Sequence, residues 1–153
     1  MCFLSFGMSD FKKLRVWRKA HSLALNVHRL ASSIRGAQNV SLRSQMVRAA
    51  MSIPANIVEG REQQSEREFA RFLGYSLGSS SELENHLIVA RDVKAISSTD
   101  FTSTIGQLID VRKMLHGLRT SLSETNTSTP KRPVPTPAAN GGQRSAGSRR
   151  QRS

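Results

Sequence analysis

Residues 45–60 of the chain read QMVRAAMSIPANIVEG, and apolar side chains recur in this segment every three or four positions. This spacing places them on one face of an α-helix. The same face extends back to Leu42, Ser41 offers an oxygen that can cap the first turn, and Gly60 is a typical residue for the end of a helix. Pro54 lacks a backbone N–H, so we expect it to kink this helix without breaking it. The segment therefore predicts one long amphipathic helix.

Helical spacing continues on both sides of this segment. Before it, a three-four alternation of apolar residues predicts a first helix over residues 11–35. After it, Ser65 and Glu68 form a capping box, which is a typical start for a third helix. Ser98 or Thr99 is predicted to cap a fourth amphipathic helix.

Short connections join these four segments, and helices joined by short loops pack as antiparallel neighbours. The sequence therefore predicts an all-α protein, an antiparallel up-down-up-down four-helix bundle over residues 9–124. We expect residues 1–8 to be a loose N-terminal extension. Residues 125–153 are rich in Pro, Gly, Ser and Arg and contain no aromatic residue. We expect a disordered basic tail there, because such a segment cannot bury enough apolar surface to offset its ordering entropy.

The composition excludes several classes of protein. Hydrophobic residues make up 37% of the 153 residues and aromatic residues 5%, so the core must be aliphatic, which suits a helical bundle better than a β-sandwich. The single cysteine, Cys2, excludes an internal disulfide framework. No apolar run approaches the roughly 18 residues of a membrane span. The first seven residues lack the features of a secretory signal, so we predict a cytoplasmic protein with no membrane role.

The charge is unevenly distributed. The chain has 23 Lys and Arg against 11 Asp and Glu, a net charge of +12. The segment from Thr125 to the end carries six of these cations and no acid, which leaves 17 cations and 11 acids before it. Half of the net charge therefore lies in the predicted tail.

The first helix has the most distinctive charge pattern, because residues 11–35 contain seven cations and no acid. A surface helix normally mixes signs and forms pairs at i,i+4. Basic stripes attract phosphate backbones, whereas membrane-surface binding is disfavoured because the core needs the apolar stripe. We place Lys12, Arg15 and Lys19 on one face. The residues predicted to contact nucleic acid, with little reading of bases, are Lys12, Lys13, Arg15, Arg18, Lys19, Arg29, Arg149, Arg150 and Arg152. Charge that serves solubility alone is the alternative.

No arrangement of residues indicates an enzyme. Gly74-Tyr-Ser76-Leu-Gly78 matches the G-x-S-x-G motif of hydrolases, but that motif works at a strained turn between a strand and a helix, and here it falls inside a helix. We interpret Gly74 and Gly78, with Ser81, as a small-residue groove for close packing of another helix. The four histidines lack the spacing of metal ligands, so we predict neither a metal nor a cofactor.

A polar strip marks the second helix. Arg48, Ser52, Asn56 and Glu59 are spaced four, four and three residues apart and share one face. Two interpretations stay open. A half-buried strip fixes the register of a bundle or joins subunits, whereas a solvated strip makes only ordinary surface pairs.

Three stretches resemble the family of small bacterial four-helix bundles encoded in intervening sequences of 23S ribosomal RNA genes. They are LRVWRKA at residues 14–20, QMVRAAMSIPANIVEG at 45–60, and EFARFL at 68–73 running into GSSSEL at 78–83. The similarity covers residues 9–122. The family includes relatives of the accessory variability determinant of diversity-generating retroelements.

The resemblance implies an antiparallel four-helix bundle that assembles into a ring-like homopentamer with a positively charged surface. In retroelement members the ring is described as binding the reverse transcriptase and its template RNA. The family has no agreed catalytic residues. The resemblance implies structural or inter-subunit roles for Arg48, Ser52, Asn56, Glu59 and Glu82, and close packing along residues 78–82.

Together these patterns predict a non-catalytic, basic homo-oligomer, a pentamer if it follows the family. It is expected to bind RNA or DNA without sequence preference and to act as an accessory protein to a reverse transcriptase. The alternative is a protein-binding oligomeric adaptor whose charge only aids solubility.

Overall fold

The computed structural model describes the backbone of residues 11–127 and the side chains of residues 11–123. It contains the helices α1 (Arg15–Ser33), α2 (Val40–Arg61), α3 (Glu66–Asp92) and α4 (Ser98–Thr127), with 3-10 turns at Phe11–Lys13 and Ala37–Asn39. Residues 11–127 include no β-strand. The predicted all-α four-helix bundle is confirmed.

The helices pack in chain order around an aliphatic core. The contact between α2 and α3 is the most extensive, and α4 closes the bundle against α1 through the least extensive one. Burying an aliphatic side chain of this kind stabilises the folded state by about 1.5–3 kcal/mol. The fully buried residues include Leu23, Val27, Ile53, Ile57, Leu73, Leu83, Leu87, Leu108, Val111 and Leu115. No helix within residues 11–127 is long and apolar enough to cross a membrane.

α1 begins later than its apolar stripe predicts. Leu14 has an extended backbone (φ −68°, ψ 118°) between the turn Phe11–Lys13 and the helix, so the predicted continuous helix from residue 11 is wrong. Leu14 has no polar side-chain atom to signal a cap, and its side chain packs against the core. Because the helix is interrupted here, Lys12 is out of helical register with Arg15 and Lys19, which corrects the prediction that the three share one helix face.

α2 runs through Pro54 without a break, as predicted, whereas the kink at Pro54 stays a prediction. The predicted cap at Ser41 is wrong, because Ser41 lies inside the first turn of the helix. Gly60 does not end the helix but is its penultimate residue, and it is buried.

Serine caps begin α3 and α4. Ser65 Oγ accepts a hydrogen bond from the backbone N–H of Glu68 at 3.2 Å, so the predicted cap is confirmed. Ser97 Oγ accepts from the backbone N–H of Asp100 at 3.0 Å, which places the cap of α4 one residue before the predicted Ser98. Each cap satisfies a backbone donor that the first turn of a helix leaves free.

α3 ends in a Schellman motif. The backbone N–H of Ala95 donates to Ala90 O at 2.8 Å, and the N–H of Lys94 donates to Arg91 O at 2.9 Å. Lys94 has a φ of +58°, a left-handed conformation that costs a residue with a Cβ about 1–2 kcal/mol. The hydrogen bonds of this turn therefore hold Lys94 in a backbone conformation that a residue with a Cβ normally avoids.

Candidate functional site

The cations predicted to contact phosphate are exposed wherever the structure describes them. Lys12 and Lys13 extend from the first 3-10 turn, and the others from α1. We call this group the basic face. Its members are Lys12, Lys13, Arg15, Arg18, Lys19 and Arg29. The predicted contacts at Arg149, Arg150 and Arg152 lie outside the described residues.

The cations at the start of α1 are close together and unpaired. Arg15, Arg18 and Lys19 are three and four residues apart, which makes them neighbours on the helix surface. Residues 11–35 contain no acid, and none of these three cations takes part in the salt bridges formed within residues 11–123. Their positive charge therefore has no anionic partner in the described part of the chain.

α4 limits the basic face on one side. Asn26 Nδ2 of α1 donates a hydrogen bond to Gln107 Oε1 of α4 at 2.6 Å. Two acids of α4, Asp100 and Asp110, line the grooves on either side of this contact. Lys19 and Arg29 of the basic face line the same two grooves, so the positive charge of α1 is partly offset along the seam between α1 and α4.

An aromatic stack lies beside one cation of the basic face, Arg18, which precedes His21 by three residues. The indole of Trp17 and the imidazole of His21 are stacked, with ring centroids 4.9 Å apart and planes inclined by 12°. Phe11 meets the indole edge-on at 5.0 Å. Trp17 also packs against the core, whereas His21 is exposed. Sequence reasoning did not find this stack, although the i,i+4 spacing of Trp17 and His21 is a signal for it.

The centre of the polar strip joins α2 to α3. Ser52 Oγ accepts hydrogen bonds from Asn56 Nδ2 at 3.1 Å and from Ser79 Oγ at 2.9 Å. Asn56 Nδ2 also donates to the backbone carbonyl of Ser52 at 2.9 Å. Both strip residues are half-buried, so this part of the strip has a structural role within the chain.

The ends of the polar strip face solvent. Arg48 Nη2 lies 3.0 Å from Glu82 Oε1 on α3, with 70% and 41% of the side chains exposed. Glu82 Oε1 also lies 3.7 Å from His86 Nε2, a buried nitrogen without a hydrogen-bond partner among residues 11–123. Glu59 is exposed. The inter-subunit role implied for Arg48, Glu59 and Glu82 stays a prediction.

An ion pair between α3 and α4 was missed by the sequence analysis. Arg112 Nη2 lies 2.7 Å from Glu84 Oε2, with 25% of the arginine side chain exposed. Arg112 also donates from Nε to Ser80 Oγ and from Nη2 to Ser80 O, both at 3.2 Å. The available signal was a guanidinium directly after the core residue Val111, because helical periodicity places that position at the edge of the core.

The predicted small-residue groove is open within the chain. A Cβ built on Gly78 would meet no heavy atom within 4 Å, and one on Gly74 would lie 3.8 Å from the Arg119 guanidinium. Ser81 is exposed, and its Oγ donates to Leu77 O at 3.3 Å. No helix of the described chain approaches Gly78, so close packing there stays a prediction for contacts between copies.

Close approach of two helices occurs instead at Gly60. A Cβ on this residue would lie 2.7 Å from Phe72 Cβ and 2.8 Å from Phe69 Cδ2, distances shorter than van der Waals contact. The sequence pattern indicates only a helix end at Gly60. The structure shows that it lets the end of α2 approach the first turns of α3.

The hydrolase motif has the wrong surroundings for catalysis. Ser76 lies inside α3, is fully buried, and donates its Oγ hydrogen to Ile53 O at 2.8 Å. A nucleophile has to be exposed at a turn between a strand and a helix, so this serine instead joins α3 to α2. No group of three or more His, Cys, Asp or Glu able to hold a metal occurs among the residues that the structure describes.

α2 presents an apolar surface to solvent. Val40 and Met51 are 53% and 54% exposed. Together with Val47 they line an open groove between α1 and α2, with Arg43 and Arg48 also in its lining. We call Val40, Val47 and Met51 the α2 surface. Their spacing of seven and four residues places them on one helix face, which is typical of a face that packs against another helix.

The fold and its surfaces define a class, the small antiparallel four-helix bundles with one basic helix. The chain belongs to the 23S rRNA-intervening sequence protein family, whose model matches residues 12–117. This finding confirms the family resemblance, whereas the relation to diversity-generating retroelements stays a prediction.

A solved structure has the same fold. It is a crystal structure of a protein with unknown function from the S23 ribosomal protein family of Bacteroides thetaiotaomicron VPI-5482. The TM-score is 0.64 and the sequence identity 24%, over 68% of this chain and 97% of that chain. The comparison with curated proteins finds no match to this sequence.

Proposed function

We propose that the protein is a non-catalytic scaffold that binds nucleic acid through phosphate contacts on its basic face. The observation that carries the proposal is the unpaired charge of Arg15, Arg18 and Lys19 on a helix without an acid. Cations that neutralise phosphates release condensed counterions, and this gives affinity without sequence preference. Little base reading is expected, because the single amide side chain of α1, Asn26, is bonded to Gln107.

The test is fluorescence anisotropy with labelled RNA and DNA across a salt series. Three proteins are compared with the full-length chain: a shortened chain ending at Thr127, the variant K12Q/R15Q/K19Q, and the control R67Q/K94Q/K113Q. The control removes three exposed cations from other parts of the bundle. Its net charge therefore equals that of K12Q/R15Q/K19Q. The slope of log K against log salt is about −0.7 to −0.9 per neutralised phosphate. Loss of three contacts in K12Q/R15Q/K19Q should therefore make the slope shallower by about 2 to 3.

The outcomes separate the two charged regions. Two results together support the basic face as the site. The shortened chain still binds, and K12Q/R15Q/K19Q weakens binding whereas the control does not. Binding that disappears with the tail assigns the contacts to the tail and contradicts the proposal for α1. Equal loss in both triple variants shows a response to net charge alone, which also contradicts it.

We further propose that the protein is a homo-oligomer whose copies contact one another through the α2 surface. The supporting observation is the exposure of Val40 and Met51 on one helix face, an arrangement that association would cover. Light scattering should give a multiple of the 16.9 kDa chain mass, five times that value for the pentamer implied by the family. Met51→Glu should reduce the mass to that of one chain, whereas the exposed control Thr102→Glu should not. A monomeric wild-type protein would refute this proposal.

The same apolar surface favours a second candidate function, a protein-binding adaptor. In that case the charge only aids solubility, so the wild-type oligomer does not bind nucleic acid, and Met51→Glu abolishes capture of a protein partner. The reverse transcriptase that the family resemblance implies is the partner to test first, by co-purification with the wild-type chain and with Met51→Glu. Failure of a reverse transcriptase to co-purify with the wild-type chain would contradict that partner assignment.

A further inference from the structure

We infer that the basic face selects single-stranded nucleic acid, because His21 and Trp17 offer an aromatic platform on which an unpaired base stacks. This inference rests on the proposed phosphate contacts and adds the class of nucleic acid to them. It follows from the position of the stacked pair, whose outer ring belongs to an exposed histidine.

The platform is fixed before any ligand arrives. One face of the Trp17 indole is covered by His21 at 4.9 Å, and Phe11 packs edge-on against the same indole at 5.0 Å. Since Trp17 also packs against the core, the imidazole rests on a ring that the bundle holds in place. A pre-ordered ring loses little conformational freedom when a base stacks on it.

One free cation lies beside this platform. Arg18 is three residues before His21 and therefore next to it on the helix surface, and Arg18 forms no salt bridge within residues 11–123. Tyr75 provides a contrast, because it is 49% exposed but lies beside Arg71, which is paired with Glu68 at 2.9 Å. The aromatic pair of α1 thus combines a stacking surface with unpaired positive charge, the combination that single-strand binding proteins use.

A preference for single strands is the opposite of what charge alone predicts. A duplex has the higher charge density and the stronger counterion release, so a purely electrostatic face binds duplex at least as tightly as single strands. The bases of a duplex are already stacked on one another and cannot add to an aromatic platform. One stacked base contributes about 1–3 kcal/mol, which corresponds to about five- to 150-fold in affinity.

The experiment uses the full-length protein and four probes with equal numbers of phosphates per strand. They are a short oligothymidylate, an oligouridylate, an abasic oligonucleotide, and a duplex that contains the thymidylate strand. We expect both base-bearing single strands to bind at least fivefold more tightly than the abasic strand, and more tightly than the duplex. Trp17 is the only tryptophan in the chain, so its emission should change with the base-bearing strands and not with the abasic strand.

Substitutions of the two stacked rings test whether the preference for base-bearing strands arises there. The double variant W17L/H21S should bring the ratio of base-bearing to abasic affinity close to one, with helical content by circular dichroism as the check on folding. His21→Ser alone should lower the ratio, whereas His28→Ser should not, because His28 is exposed on the same helix seven residues later and stacks on no ring within residues 11–123.

Two kinds of failure are distinguishable. If no probe binds, the proposed function fails and the inference fails with it. If the abasic strand, the single strands and the duplex bind equally, the phosphate contacts stand and the stacking platform is refuted. Equal effects of His21→Ser and His28→Ser would also refute it.

Discussion

Replacing Gly60 by alanine tests how tightly α2 and α3 approach. The new Cβ would lie 2.7 Å from Phe72 Cβ and 2.8 Å from Phe69 Cδ2. Phe72 Cβ is attached directly to the α3 backbone, so rotation of the phenylalanine side chain cannot relieve that contact. The end of α2 must move away from α3, the helix with which it makes the most extensive contact in the bundle, and overpacking of this kind costs about 1–3 kcal/mol.

A second term opposes this cost. Alanine is favoured over glycine inside a helix by about 1 kcal/mol. Because the contact involves an immobile Cβ, we place the overpacking cost in the upper half of its range. The free energy of unfolding of Gly60→Ala should therefore fall by about 1–2 kcal/mol.

Gly106→Ala is the matched control. A Cβ on Gly106 would meet no heavy atom within 4 Å, so this variant should gain about 0.5–1 kcal/mol from helix propensity alone. Urea unfolding followed by circular dichroism measures both variants. A Gly60→Ala protein as stable as Gly106→Ala would refute the close approach of α2 and α3 at this residue.

Three further substitutions test other contacts by the same unfolding assay. Ser65→Ala removes the cap of α3 and should cost about 1 kcal/mol, whereas Ser41→Ala, which removes no cap, should cost less than half of that; equal losses would contradict the cap assignment. Arg112→Met should cost about 1–2 kcal/mol because it removes hydrogen bonds and a half-buried ion pair. Arg48→Met removes an exposed pair and should change stability by at most about 0.5 kcal/mol. A larger loss for Arg48→Met would contradict the expectation that the more buried ion pair contributes more to stability. Lys94→Gly should stabilise the protein by about 1 kcal/mol because glycine adopts a positive φ without strain, and a loss of stability would show that the lysine side chain contributes more than its backbone strain costs.

The helices and the core were predictable because burial alone determines their pattern. A residue such as Leu87 must lie on the inner side of its helix if any bundle forms, and a period of 3.6 residues is visible without knowledge of the neighbours. The cap at Ser65 was predictable for a similar reason, since both partners of the hydrogen bond lie within one turn.

Features that depend on contacts between helices were not predictable from spacing. Leu14 has an extended backbone and packs its side chain on the core, and no cap residue in the sequence indicates this interruption. The pairing of Arg112 with Glu84 joins residues 28 positions apart, so it requires the register of α3 against α4. The openness of Gly78 likewise follows from where the other helices lie rather than from its own neighbours in sequence.

The candidate site was predictable in its charge but not in its shape. The absence of acid from residues 11–35 is visible in the sequence, and exposure of the cations follows from the apolar stripe opposite them. The stacking of Trp17 on His21 and the bordering acids of α4 required the folded arrangement. The exposed cations were therefore predictable from the sequence, whereas the stacked pair of Trp17 and His21 was not.

The limited contact between α1 and α4 has a consequence for local unfolding. Partial opening follows boundaries with few contacts, so a terminal helix can detach while the central α2–α3 hairpin stays folded. Amide hydrogens of α2 and α3 should then exchange more slowly than those of α1. The basic face lies on α1, so a bound polyanion would stabilise the closed form and slow exchange there. The helix that we propose binds nucleic acid and the hairpin expected to unfold last would then be separate parts of one bundle.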